Sequence, residues 1–271
     1  MTRRRAVVLK LGGELLKGTA DLSRVARGIN ALAQRAPLVV VHGGGLEIDT
    51  AMAASGIEKT QVDGIRVTDS PTLEVVVAVL AGTVNTRLVA AVRRAGARPV
   101  GLTGADASVA TIRRAVPITT VSGRRVDLGL VGTPVRSGSP QLLVDLLAKG
   151  YVPIVACVGA TRDGQLLNVN ADTLASHLAA GLGAMRLAIA GGTAGVLDGD
   201  GTTIPRLTSR EAARMVRAGT ASRGMVAKLQ ACRTALREGV EDVVIANGRT
   251  LPFAALAGRI PTAAECTQVV R

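Results

Sequence analysis

The chain alternates short apolar runs of strand length with stretches of helical period. Two of the runs end in consecutive glycines, VVLKLGG at 7–13 and VVVHGGG at 39–45. Alternation of this kind implies an α/β chain whose mostly parallel sheet is covered on both faces by crossover helices. Predicted strands are AVVLKLGG, PLVVVHGGG, RPVGLTG, YVPIVACVG, MRLAIAGG and EDVVIANG. The predicted helices begin with DLSRVARGINALAQR, opened by Asp21, and LEIDTAMAAS, which leads into a helix ending at Gly56. PTLEVVVAVLAGTVNTRLVAAVRRAG then reads as one long helix with Pro71 in its first turn. SPQLLVDLLAKG, TLASHLAAGLG, SREAARMVRAG and GMVAKLQACRTALREG complete the set. Residues 57–68 read as an extended excursion, residues 112–133 as a hairpin layer and GVLDGDGTTI as a short hairpin. A soft boundary near residue 180 divides a larger lobe from a smaller one, with connections too short for independent domains.

Composition narrows the chemistry. The chain has 271 residues, with one Tyr, one Phe and no Trp, so Val, Leu, Ile and Ala must build its core. It has no aromatic platform on which sugars or single-stranded nucleic acid could stack. No uncharged apolar run reaches the ~18 residues of a spanning helix, and the apolar start runs into glycines without a cleavage site for a signal peptide. Cys157, Cys232 and Cys266 are too scattered for a zinc site or a disulfide framework and read as structural thiols of a reducing, cytoplasmic setting. His42 and His177 are the only histidines, which disfavours triads and histidine metal sites. The net charge of +13 is carried by dispersed arginines with no nucleic-acid-binding motif. Only Lys10, Lys17, Lys59, Lys149 and Lys228 are lysines among 33 basic residues, so each lysine position is informative.

Glycines at the carboxyl end of a strand let backbone N–H groups approach a ligand, and a helix starting there adds its positive dipole end. In an open α/β sheet, Gly12–Gly13 and Gly43–Gly45 would then share one edge and form an anion cradle suited to a phosphoryl group. The pattern matches neither G-x-x-x-x-G-K-[ST] nor G-x-G-x-x-G. Lys10, two residues before the glycines, is a costly residue to bury without an anion to reach. In NVNAD, Asp172 reads equally as a helix cap. Arg66 in GIRVTD is of the type that grips a carboxylate bidentately, although alone it is an ordinary arginine.

Together the motifs KLGG, VHGGG, GIRVTD, AGTVNTRLV, VGLTGAD, LGLVG, GYVPIVACVG, GQLLNVNAD, GVLDGDG and GMVAKL resemble, in order over nearly the whole chain, the amino-acid kinase family and within it the N-acetylglutamate kinases. The resemblance implies a three-layer αβα sandwich with a mainly parallel central sheet. Residues 1–180 would form the amino-acid-binding and dimerisation lobe, and residues 181–271 the ATP-binding lobe. It implies that Lys10 and Lys228 contact the transferred phosphoryl group and that Asp172 orients both. Gly12, Gly13, Gly44 and Gly45 would be backbone donors around that group, with Gly44 and Gly45 also bordering the substrate. Arg66 and Asn168 would hold the carboxylates of N-acetyl-L-glutamate. ATP and Mg²⁺ are the implied cofactors, with no metal site made by the protein alone. The implied reaction is phosphorylation of the side-chain carboxylate, the second step of arginine biosynthesis.

Three positions depart from the family pattern. Gly192 stands where an aspartate associated with the nucleotide is expected, Leu46 replaces the proline after HGGG, and the usual carboxyl-terminal GT is echoed only by Cys266–Thr267. No extra helix precedes AVVLKLGG, whereas arginine-inhibited hexameric members have one, so a homodimer without arginine feedback is expected, with neither nucleic acid nor membrane as partner. Two alternatives remain at this stage. One is a kinase for aminoadipate or glutamate attached to an acidic carrier protein, which the +13 charge would attract. The other is a non-catalytic metabolite-binding paralogue, motivated by Gly192.

Overall fold

The structure is a computed structural model that describes residues 5–62, 64–120, 123–135, 140–221, 223–260 and 266–271. In chain order the strands are β1 (Val7–Leu11), β2 (Leu38–His42), β3 (Gln61–Val62), β4 (Ile65–Arg66), β5 (Pro99–Thr103), β6 (Ile112–Arg114), β7 (Ile118–Thr119) and β8 (Arg125–Val126). They continue with β9 (Val131–Pro134), β10 (Val152–Ala156), β11 (Val158–Ala160), β12 (Leu166–Val169), β13 (Arg186–Gly191), β14 (Arg206–Thr208), β15 (Asp242–Asn247) and β16 (Cys266–Val270). The helices are α1 (Thr19–Ala33), α2 (Gly45–Ala54), α3 (Ser70–Val77), α4 (Asn85–Arg94), α5 (Gln141–Ala148), α6 (Ala171–Gly181), α7 (Ser209–Arg217) and α8 (Arg223–Arg237).

Eight strands form the central sheet in the order β14-β16-β15-β13-β1-β2-β10-β5. Every pairing is parallel except β15 with β16. α1 packs with α4, while α6 packs with α8 and across β1, β2 and β13, giving the expected αβα sandwich. The inner strands β1, β2, β10 and β13 are buried along their whole length, as strands covered on both faces must be. The hairpins β3-β4 and β7-β8 and the strands β6 and β9 fall in the predicted excursion and hairpin layer, and β6 and β9 join β11 and β12, from outside it, in a second sheet β11-β12-β9-β6.

Four differences from the sequence reading have local causes. YVPIVACVG divides at Cys157 between the two sheets, β10 staying central and β11 pairing with β12. β14 and β16 were not anticipated: β14 is a three-residue run, and β16 follows an irregular segment and pairs antiparallel with β15, the strand before it, and in parallel with β14. α1 starts at Thr19, so Asp21 lies in its first turn, where a negative charge still suits the helix dipole. The long helix is interrupted by a π-helical segment, Ala78–Val84, between α3 and α4. By length and composition the combined helix Ser70–Arg94 could cross a membrane, but it packs on the sheet with 44% of its apolar window buried.

On the sheet edge away from the glycine endings, Arg186 on β13 and Asp242 on β15 form a bidentate pair, Nε and one terminal nitrogen each donating at 2.7 Å to a different carboxylate oxygen. The other terminal nitrogen donates to the carbonyls of Leu256 and Gly258 at 2.8 and 2.7 Å, and Gln268 donates to Asp242 at 2.7 Å. This network ties three strands to the segment after β15. Arg186 is only 5% exposed. Asp242→Ala would therefore leave a buried guanidinium without its counter-charge, and urea unfolding is expected to show a loss of about 3–5 kcal/mol.

Candidate active site

The parallel register brings the carboxyl ends of β1, β2 and β13 together, and the two glycine endings meet there. A Cβ placed on Gly13 would lie 3.2 Å from the Gly44 Cα and 3.4 Å from the Gly45 nitrogen. Gly44 caps α2 and Gly45 opens it, so the unpaired N–H groups of that first turn face the junction. Gly44 has φ −174°, which any residue adopts, but a Cβ there would stand 2.8 Å from Leu80 Cδ2. Gly12 corrects one expectation: its N–H donates at 2.8 Å to the Ala190 carbonyl and is not a free donor. Its contribution is the missing side chain, because a Cβ would collide with the Glu14 carboxylate.

Alternation along β1 puts Lys10 on the face that α6 covers, opposite Leu9 and Leu11. Its Nζ is 2.9 Å from Oδ1 of Asp172, and both residues are buried, at 8% and 6% exposure. Burial works against the Lys10 ammonium, but Asp172, with Glu14 further off, outweighs it and raises the Lys10 pKa above its ordinary value. Asp172 does not cap α6. Asn170 does, its Oδ1 accepting from the Asp172 and Thr173 N–H groups at 2.9 and 3.1 Å. The Asp172 carboxylate is thus left for cations, and Lys228 on α8 approaches its other oxygen to 4.0 Å. Two ammonium groups on one buried carboxylate leave a net positive charge beside the glycine junction.

Next to this triad lies a cavity of about 200 Å³ lined by Gly44, Gly45, Arg66, Leu80, Asn168 and Asn170, among others. Arg66 is buried on β4, where it ion-pairs with Asp49 and donates to Met52 Sδ at 3.0 Å and the Gly45 carbonyl at 3.4 Å. Asp49 also receives Lys59 at 2.6 Å; partial burial opposes its charge, but the two cations lower its pKa. Asn168, on β12, donates to Thr68 Oγ1 at 3.1 Å. The structure therefore places Lys10, Lys228, Asp172, Gly13, Gly44, Gly45, Arg66 and Asn168 around one junction.

Glu14 had not been singled out. Its Oε1 accepts from the Gly192 N–H at 2.9 Å, and Arg249 donates to its backbone carbonyl at 3.2 Å. A carboxylate thus stands in the corner where residue 192 has no side chain to supply one.

A comparison of the sequence with known families is decisive: the model of the amino acid kinase family matches residues 5–247. The chain belongs to the amino acid kinase family. It is similar to an acetylglutamate kinase of Parvibaculum lavamentivorans, 39% identical over 91% of this chain and 82% of that protein. It is also similar to one of Methanopyrus kandleri, 40% identical over 89% of this chain and 94% of that protein. Among solved structures, an N-acetylglutamate synthase of Neisseria gonorrhoeae complexed with coenzyme A and N-acetyl-glutamate superposes with TM-score 0.81 at 26% identity, over 99% of this chain and 60% of that one. A carbamate kinase of Giardia lamblia bound to AMP-PNP shares the fold over the full length of both chains, with TM-score 0.70 and 16% identity.

For an amino acid kinase, histidine is notably absent from the reacting surface. His42, at the end of β2, is fully buried, and burial lowers its pKa to about 4 against only a weak opposing contact with the Gly43 carbonyl. It stays neutral through the physiological range and has no access to a substrate proton. Burial likewise raises Cys157 to about 12 despite the nearby Lys10, so this thiol is not a nucleophile.

The lowered His42 pKa predicts a pH dependence of stability. Between pH 4 and the ordinary value of 6.5 the unfolded chain binds more protons at this group than the folded one. The stability contributed by His42 is complete above pH 6.5 and is lost as pH falls towards 4; the shift corresponds to about 3 kcal/mol at most. His177, also lowered by burial, has the same sign, so the wild type must be compared with His42→Asn. Urea unfolding across this range should give a shallower acid-side slope in the variant.

Proposed function

We propose that the protein transfers the terminal phosphoryl group of ATP to the side-chain carboxylate of N-acetyl-L-glutamate, giving N-acetyl-L-glutamyl 5-phosphate for arginine biosynthesis. The observation that carries this reading is the Lys10–Asp172–Lys228 cluster beside the glycine junction, whose Gly44 and Gly45 also line the Arg66–Asn168 cavity. Arg66 offers its guanidinium to a substrate carboxylate, and Asn168 offers an amide for a second polar contact. A carboxylate oxygen then attacks the terminal phosphorus in line, and the bond to ADP breaks with ADP taking the electron pair. The attacking group is already anionic and needs no general base, which fits a site whose only nearby histidine is buried and neutral.

Phosphoryl transfer depends mainly on alignment and charge stabilisation. Lys10 from the acceptor side and Lys228 from the nucleotide side neutralise the equatorial oxygens, while Asp172 holds both ammonium groups in place. The N–H groups of Gly13, Gly44 and Gly45 add fixed donors that need no reorganisation. Among the described residues, no cluster of three or more His, Cys, Asp or Glu side chains could cage a metal. The Glu14 carboxylate and a buried Glu47 oxygen lacking a hydrogen-bond partner among the described residues both border the glycine junction. This sparse donor set fits a magnesium ion that would be held mostly by the nucleotide phosphates, with Glu14 and Glu47 as the protein groups that would face it. When bound, the ion supplies further neutralising charge.

In this reading residues 1–180 bind the amino-acid substrate and residues 181–271 the nucleotide, with Lys10 at the seam where β1 pairs with β13. The three buried free thiols support a cytoplasmic setting. The apolar helix Ser70–Arg94, less than half buried within the chain, supports a homodimer through that face. Gel filtration with light scattering should give twice the 27.6 kDa chain mass; a hexamer would refute the dimer.

The kinase reading is tested by incubating the protein with MgATP, N-acetyl-L-glutamate and hydroxylamine, which traps an acyl phosphate as hydroxamate. Colour should require both substrates. Lys10→Ala and Asp172→Ala should each lower kcat by about 100-fold or more, read per folded molecule by circular dichroism because removing one partner of this buried pair also destabilises the fold. Near-normal turnover in either variant would remove that residue from the mechanism.

A further inference from the structure

Behind the glycine junction runs a buried polar chain that no step above uses. The π-helical segment Ala78–Val84 ends at Asn85, whose side chain points into the sheet and is 5% exposed. An extra residue in a helical turn re-aims the side chains that follow, and such turns recur at functional sites. Gly101 on β5 admits the amide, since a Cβ there would collide with Asn85 Oδ1. Asn85 Nδ2 donates to the Ile154 carbonyl at 2.9 Å and lies 3.0 Å from Nε2 of His42. The other ring nitrogen of His42, Nδ1, lies 3.2 Å from the Gly43 carbonyl, and Cys157 donates its thiol to the His42 carbonyl at 2.8 Å.

The proton positions follow from this geometry. A carbonyl accepts only, so the Asn85 atom facing Ile154 must be the amide nitrogen, not the oxygen. Its second hydrogen then points at His42 Nε2, which must be the bare nitrogen of the ring. Nδ1 therefore carries the proton and donates to the Gly43 carbonyl. In a trans peptide, C=O and the following N–H point in opposite directions. Drawing the Gly43 carbonyl towards the buried ring turns the Gly44 N–H the other way, towards the junction that receives the phosphoryl group. The π segment holds the same glycine from another side, through Leu80 against Gly44.

We propose that His42 and Asn85 are positioning residues: Asn85 fixes the Nδ1–H tautomer of His42, and that tautomer aims the Gly44 N–H at the transferring phosphoryl group. The inference rests on the phosphoryl-transfer reading of the same site. Neither residue touches substrate, and both act through one backbone donor.

The test uses the full chain carrying His177→Gln, so that His42 is the only histidine, with nitrogen NMR of the ring to locate its proton. At neutral pH the proton is expected on Nδ1; finding it on Nε2 overturns the proposal without any variant of the network. Asn85→Asp keeps the side-chain shape, but the oxygen replacing Nδ2 carries at most one hydrogen, which faces the Ile154 carbonyl, so towards His42 it accepts; the proton should move to Nε2 and the Gly44 amide resonance should shift. Loss of one preorganised donor should lower kcat about 10- to 100-fold while KM for ATP changes less than about threefold. A tautomer change that leaves both kcat and the Gly44 resonance unaltered would overturn the proposal. So would a loss of activity that only tracks a loss of folded protein, with the ring proton still on Nδ1. If the unsubstituted protein fails to phosphorylate N-acetyl-L-glutamate, the substrate reading falls, and the proposal is decided by the ring tautomer and the Gly44 resonance.

Discussion

One buried carboxylate shared by two lysines is the interaction around which the rest is arranged. Burying a charge is costly unless it is paired, and a pair is favourable only when its geometry is good. Asp172 ion-pairs with Lys10 at 2.9 Å and with Lys228 at 4.0 Å, and two cations on one anion leave the cluster one unit of positive charge in a partly dry setting. That residual charge and the first-turn N–H groups of α2 favour an anion, while the Glu14 and Glu47 carboxylates at the same junction favour an anion that brings its own cation. The sheet supplies the precision: Lys10 stands on a strand paired along its whole length on both sides, and Asp172 sits in the first turn of a helix that Asn170 caps.

Legibility from sequence followed the range of the interactions involved. The strands β1, β2, β10 and β13 were readable because continuous burial leaves an unbroken apolar run, and the glycine endings because a close backbone approach excludes side chains. Lys10 stood out as a charge inside such a run. β14 and β16 were not readable, because β14 is only three residues long and is held by β16 far along the chain, and β16 lies at the end of the chain after an irregular segment. The π segment was equally silent, since AVLAGTV has ordinary helical composition and only the packing of Asn85 between β2, β10 and β5 shows why the turn is widened.

The site residues divide in the same way. Arg66 was identifiable by resemblance, yet its partner Asp49 lies one helix earlier, and nothing in LEIDT distinguishes an acid that faces a guanidinium from one that faces solvent. Glu14 follows the glycines immediately, but its meaning depends on Gly192, far along the chain, to which it is joined by a single hydrogen bond. Gly192 looked like a lost carboxylate when read along the sequence. In space the corner keeps a negative charge, delivered from the neighbouring strand end.

The division of labour between lysine and arginine follows from the shape of each ion. Arginine dominates the basic residues of this chain, yet lysine occupies both positions at the buried Asp172 carboxylate, where, in the proposed reaction, a charge would have to follow a group in motion. An ammonium is a compact point charge with rotatable donors, able to keep contact as phosphoryl oxygens shift from one partner to the other. The planar guanidinium suits a carboxylate that must stay still, and Arg66 is fixed accordingly by Asp49, Met52 and the Gly45 carbonyl. An arginine at position 10 would bring a wider ion into a buried strand position, and it would hold Asp172 in a rigid fork. Lysine at both positions facing Asp172 thus fits the physical requirement of the proposed reaction, a mobile positive charge on an otherwise immobile frame.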